Sequence, residues 1–87
     1  MLRNILAAAT LSMTLAALVF ACSDSDSTIR CGGIDGWKDT TECMKELGNN
    51  EDCYCRSNDR YYAVANNNYM AFQACCDRKS NFGWGTC

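Results

Sequence analysis

Eight cysteines in a chain of 87 residues constrain this fold more than any other feature: Cys22, Cys31, Cys43, Cys53, Cys55, Cys75, Cys76 and Cys87. All of them follow an apolar leader and none lies inside it. A chain this short buries only about 60% of its unfolded surface, so an apolar core alone gives marginal stability. Each disulfide typically adds about 2–4 kcal/mol by restricting the unfolded chain. An even number of cysteines is therefore expected to form about four bridges, in an oxidising compartment.

Residues 1–21 read as a secretory signal peptide. Arg3 is the one charge, the stretch from Ile5 to Phe20 is apolar apart from Thr10, Ser12 and Thr14, and Val19 and Ala21 suit a cleavage site after Ala21. A spanning helix needs about 20 consecutive apolar residues, and this run is shorter. The expected location is secreted and extracellular. A bacterial lipoprotein acylated at Cys22 is the alternative, but Phe20 stands where such signals prefer a small residue. Acylation would also leave an odd number of cysteines.

Loss of Arg3 makes the net charge of −2 more negative by one. The remaining cations are scattered, which argues against nucleic acid as a partner. An acidic chain also disfavours pore formation on anionic membranes.

Three parts follow along the chain: the leader, a flexible polar N-terminal arm at 22–30, and a disulfide-stabilised helical domain at 31–87. Within the last, Asp39 followed by Glu42 forms a capping-box pattern, so a first helix is expected from Thr40 to Leu47, ended by Gly48. Asn49-Asn50 turns the chain, and Asn50 caps a short helical turn bearing Cys53 and Cys55, although Cys53-Tyr54-Cys55 also suits an extended segment. Tyr61, Ala65, Tyr69, Phe72 and Cys76 recur at helical steps, predicting a long helix from Ser57-Asn58-Asp59 to about Arg78. Residues 81–87 read as a closing loop around Trp84. The expected fold class is small, disulfide-rich and mainly α, with two to three short helices.

Adjacent cysteines have Cα atoms about 3.8 Å apart, below the usual disulfide range. Cys75 and Cys76 therefore reach different partners, diverging by about 100° on a helix. Cys53 and Cys55 diverge by about 200° on a helix or lie parallel on a strand, and neither geometry bonds them to each other. These two exclusions remove about a quarter of the 105 possible pairings. The rest stay open.

Catalytic residues are not indicated. The chain has no histidine, the commonest general base. Glu51-Asp52 reads as a solvated helix start, and C-x-C lacks the spacing of C-x-x-C oxidoreductases. Neither a metal nor a cofactor is expected, since zinc-binding cysteine pairs usually have two to four intervening residues. No Asn-x-Ser/Thr acceptor is present. Aromatic residues offer the candidate binding positions: Trp37, Trp84 and Phe82, with Tyr61, Tyr69 and Phe72 assigned to the core.

In layout the chain resembles the small secreted cysteine-rich proteins of filamentous fungi, many of them candidate effectors. The segment Glu51-Asp52-Cys53-Tyr54-Cys55-Arg56-Ser57-Asn58 is similar to part of the fungal CFEM domain, an eight-cysteine helical fold that in some members binds haem or lipid. That resemblance implies that Asp52 takes the place of an iron-ligating aspartate. The chain departs from the family in its first cysteine spacing and in the adjacent Cys75-Cys76. The expected function is non-enzymatic binding of a host or neighbouring-cell protein by a monomer. Alternatives are a carrier of lipid, sterol or haem with a pocket between the helices, and a carbohydrate-binding module using Trp37 and Trp84.

Overall fold

The computed structural model describes residues 20–48 and 51–87. Apart from Phe20 and Ala21, the leader lies outside the described residues, as do Asn49 and Asn50 with the turn and cap expected there. The chain runs β1 (Thr28–Cys31), α1 (Gly36–Leu47), β2 (Asp52–Cys55), β3 (Arg60–Val64), α2 (Tyr69–Lys79) and β4 (Trp84–Gly85). The strands form one antiparallel sheet in the order β2-β3-β1-β4, and both helices pack on it.

This two-layer α+β arrangement corrects the mainly α expectation. The error lies in 57–68. Tyr61-Tyr62-Ala63-Val64 carries aromatic and β-branched side chains that suit a pleated surface, and it pairs with both β2 and β1. Ser57-Asn58-Asp59 forms the β2–β3 turn instead of a helix cap. Asp59 adopts φ 57°, its N–H donates to Cys55 C=O at 2.9 Å, and Asn58 Oδ1 accepts from Arg60 N–H. Asparagine and aspartate reach this left-handed backbone more readily than other residues with a Cβ. The helical spacing of Tyr61 and Ala65 with Tyr69 is thus coincidental, and the Asn66-Asn67-Asn68 run separates β3 from α2.

Helix α1 starts at Gly36, four residues before the expected start. Gly36, Thr40, Cys43 and Met44 form its buried stripe. A side chain at Gly36 would bring its Cβ within 2.3 Å of Cys31 C=O, so glycine permits the helix to start against β1. Thr40 Oγ1 accepts the Cys31 N–H at 2.9 Å and donates to Gly36 C=O at 2.5 Å, fixing strand and helix together. Gly48 ends α1 with φ 73°. On α2 the buried residues are Phe72, Cys75 and Cys76.

The four bridges form two layers. Cys43–Cys75 joins α1 to α2, and Cys31–Cys76 joins β1 to α2, both inside the core with Ile29, Ala63 and Phe72. Cys53 and Cys55 alternate with Tyr54 on β2, share the other sheet face with Tyr62, and bond Cys22 and Cys87. The Cys55–Cys87 bridge links the edge strand β2 to the residue two places beyond the other edge strand, β4. Cys87 N–H also donates to Thr28 Oγ1.

Of the segment 22–30 expected as an arm, Ser23 to Asp26 makes a turn closed by Asp26 N–H to Ser23 C=O. Ser27 N–H donates to Asn66 Oδ1 at 2.6 Å, and Thr28 to Arg30 belong to β1. Among the described residues, no helix is long and apolar enough to cross a membrane. Four disulfides in so small a domain are typical of extracellular proteins.

Candidate functional site

Two loops meet at one end of the sheet. Gly32 N–H donates to Gly83 C=O at 2.8 Å, which joins the β1–α1 loop to the α2–β4 loop. A Cβ at Gly32 would lie 2.5 Å from Phe82 O, and one at Gly33 would lie 2.8 Å from the Phe82 ring. Gly33 and Gly83 have φ values of 89° and 71°, backbone that favours glycine. Phe82 N–H donates to Ser80 Oγ, which holds the second loop from within.

Three apolar side chains emerge from this apex. Ile34 is fully exposed, Phe82 is 75% exposed, and Trp84 is 40% exposed. Trp84 pairs with Cys31 across the β1–β4 ladder and meets the Tyr69 ring edge-on at 5.8 Å. This contact fixes one side of the indole and leaves the remainder at the surface. Met70, the next residue on α2, is also exposed. The apex therefore presents large apolar groups on a backbone secured by a cross-loop hydrogen bond.

Phe82 and Trp84, both expected as binding residues, thus share this site. Trp37 has a different set of ring partners. It packs against the core from the first turn of α1 and lies 5.9 Å from the Tyr61 ring, which meets Tyr54 at 5.4 Å. Arg30 caps the Trp37 ring at 5.4 Å and donates to Tyr61 C=O. Burial, and then the neighbouring Arg60 cation, lower the Arg30 pKa. Tyr54 donates to Asp59 Oδ1 at 2.6 Å, and this bond raises the phenol's pKa. Tyr61, assigned to the core from sequence, is 38% exposed. Ile34, the third side chain of the apex, was not among the binding positions expected from sequence. Its signal was an isolated apolar residue between Gly33 and Asp35 in a glycine-marked loop.

Other reactive groups are already engaged. The Cys31, Cys43 and Cys76 sulfurs lie within 4.8 Å of one another, a spacing that thiolates could use for a metal. All three belong to disulfides, and the chain has no free cysteine. Glu46 joins Arg78 and Lys79, and Glu42 joins Lys38 and Lys79, in a surface network between the ends of the helices. The Lys79 hydrogen bond is the leading cause of a lowered Glu46 pKa, and the same bond leads the rise in that of Lys79. Asp52 is exposed on β2, beside an open cleft that Asp26 and Glu51 also line.

Comparison with protein-family models, curated proteins and solved structures finds no match for this chain.

Proposed function

We propose that this chain is a secreted, non-enzymatic binding protein of effector type, which engages an extracellular or host protein through the apex of Ile34, Phe82 and Trp84. The observation that carries this reading is the exposure of those three side chains on two hydrogen-bonded loops with close glycine–phenylalanine packing. Large apolar groups on an already ordered backbone spare a partner the cost of ordering the loops, and aromatic residues are common binding hot spots. The scattered cations of an acidic chain disfavour nucleic acid as the partner, and without histidine the commonest general base is missing.

A carrier of lipid, sterol or haem needs an apolar cavity, expected between the helices. The interhelical region instead holds the Cys43–Cys75 bridge with Met44 and Phe72 in one buried cluster. A carbohydrate module using both tryptophans is weakened by the packing of Trp37 against the core and by Arg30 over its ring.

Labelled secreted protein and its Ile34→Ala/Phe82→Ala variant would be applied to intact target cells before and after surface proteolysis. Binding that is lost both on the double substitution and on the proteolysis supports the proposal. Binding that survives either treatment, or tryptophan quenching by chitin fragments, overturns it.

A further inference from the structure

Residues 20–22 lie along the outer edge of β2 as a short parallel segment. Tyr54 N–H donates to Phe20 C=O at 2.8 Å, and Cys22 N–H donates to Tyr54 C=O at 2.9 Å, which places Ala21 opposite Tyr54. Strand alternation turns the backbone of Asp52 toward this same side. The adjoining open cleft is lined by Phe20, Ala21, Asp26, Glu51 and Asp52 among others. Phe20 and Ala21 are exposed, so main-chain bonds, more than side-chain burial, define their position.

Cleavage after Ala21 would remove two residues from this edge and leave the Tyr54 N–H without the Phe20 acceptor. An exposed strand edge of this kind is a template for an added extended segment. Cys22 remains fixed by its bridge to Cys53. A replacement strand running in the same direction therefore has to stop where Cys22 begins. Its last residue takes the place of Ala21, and its terminal carboxylate meets the new α-ammonium of Cys22. The three carboxylates along the cleft favour cations farther upstream in the bound segment.

We propose that the processed protein uses the β2 edge to capture the free C-terminus of a partner protein, in parallel register and through main-chain hydrogen bonds. This inference rests on the cleavage after Ala21 and is independent of the apex. All four disulfides and, among the described residues, all six elements lie within residues 22–87, so processing leaves this scaffold intact.

The test uses isotopically labelled protein secreted with its natural N-terminus, whose start is established by intact mass. The probe is the peptide Lys-Ala-Leu-Val-Phe-Ala as its free acid, as its C-terminal amide, and extended by Gly-Gly. The free acid should shift the Tyr54 amide resonance saturably and slow its hydrogen exchange. The amide should bind about three- to fivefold more weakly, and the extended peptide should leave Tyr54 unperturbed. A protein that starts at Cys22 but shows no Tyr54 response, or binds the extended peptide equally well, overturns the capture site alone. A natural N-terminus other than Cys22 overturns the cleavage and the site together. Native mass showing the protein's own released leader end still bound would replace the partner as occupant and overturn the assignment to a partner.

Discussion

Cys75 and Cys76 are neighbours on α2, yet they anchor different layers of the fold: Cys75 bonds Cys43 on α1, and Cys76 bonds Cys31 on β1. The helix end is thereby fixed to both its helical neighbour and the sheet. Both bridges are buried beside Phe72 and Ile29. Cross-linking and core packing coincide at this one point, and their contributions can be separated by mutation.

The Cys43–Cys75 and Cys22–Cys53 bridges have sequence separations of 32 and 31, so chain entropy assigns each nearly the same value, about 3–4 kcal/mol. Their surroundings differ, because Cys43 and Cys75 are fully buried whereas Cys22 is half-buried. Cys43→Ala/Cys75→Ala should therefore destabilise the protein by about 1–2 kcal/mol more than Cys22→Ala/Cys53→Ala, through the cavity left in the core. Urea unfolding of the two double variants checks this, and equal losses would show that chain entropy alone decides.

Thr40 is a buried polar residue whose hydroxyl serves both Cys31 N–H and Gly36 C=O. Thr40→Val keeps the shape but leaves the Cys31 N–H without its acceptor, with an expected cost of about 1–3 kcal/mol. Thr40→Ser keeps the acceptor and should cost less than the valine variant. Chemical denaturation of both variants tests the ordering. A valine variant as stable as the serine variant would mean that the hydrogen bond contributes little.

At the apex, stability and binding should separate. Ile34→Ala removes a fully exposed side chain and should change unfolding free energy by no more than about 0.5 kcal/mol. The Ile34→Ala/Phe82→Ala variant should nevertheless weaken partner binding by about 1–2 kcal/mol or more if these side chains are hot spots. Gly32→Ala should behave differently, disrupting the apex because its Cβ would meet the Phe82 carbonyl at 2.5 Å. Thermal unfolding measured beside binding on each variant distinguishes the two effects.

The Glu46–Lys79 pair sets a pH dependence at both ends of the range. Glu46 has its pKa lowered in the folded state, so its contribution is present above the ordinary carboxylate range and is lost as pH falls through the folded-state value. The pKa of Lys79 is raised, so its contribution is complete below the ordinary lysine value and is lost as pH rises through the folded-state value. Glu46→Gln should flatten the acid-side decline, and added salt should reduce the difference from wild type because Glu46 is exposed and Lys79 only partly buried. Stability measured from neutral pH down through the carboxylate range, at two salt concentrations, checks both expectations.

Local chemistry made some of this fold legible from sequence, and long-range pairing concealed the rest. The adjacent cysteines excluded their own bridge, and Gly48 marked the end of the first helix. Cys53-Tyr54-Cys55 admitted an extended reading, which the structure adopts. The strand character of Tyr61 to Val64 was obscured because one partner, Thr28–Ile29, lies far away along the chain, and because the hairpin turn to the other, Asp52–Tyr54, carries residues that also suit a helix cap. Helical spacing across Asn66 to Asn68 joined two elements that the structure separates. At the candidate site, Phe82 and Trp84 were visible as aromatic residues in a glycine-bearing segment. Ile34 joins them through the Gly32–Gly83 hydrogen bond, a pairing that no local pattern announces.

The order of the four bridges has a consequence for how the chain responds to proteolysis. Cys22–Cys53 and Cys55–Cys87 leave a gap only around Tyr54, and Cys31–Cys76 and Cys43–Cys75 both span that gap. Every peptide bond between Cys22 and Cys87 is thus bridged by at least one disulfide. A single endoproteolytic nick anywhere in this interval adds one water and releases no fragment until the disulfides are reduced.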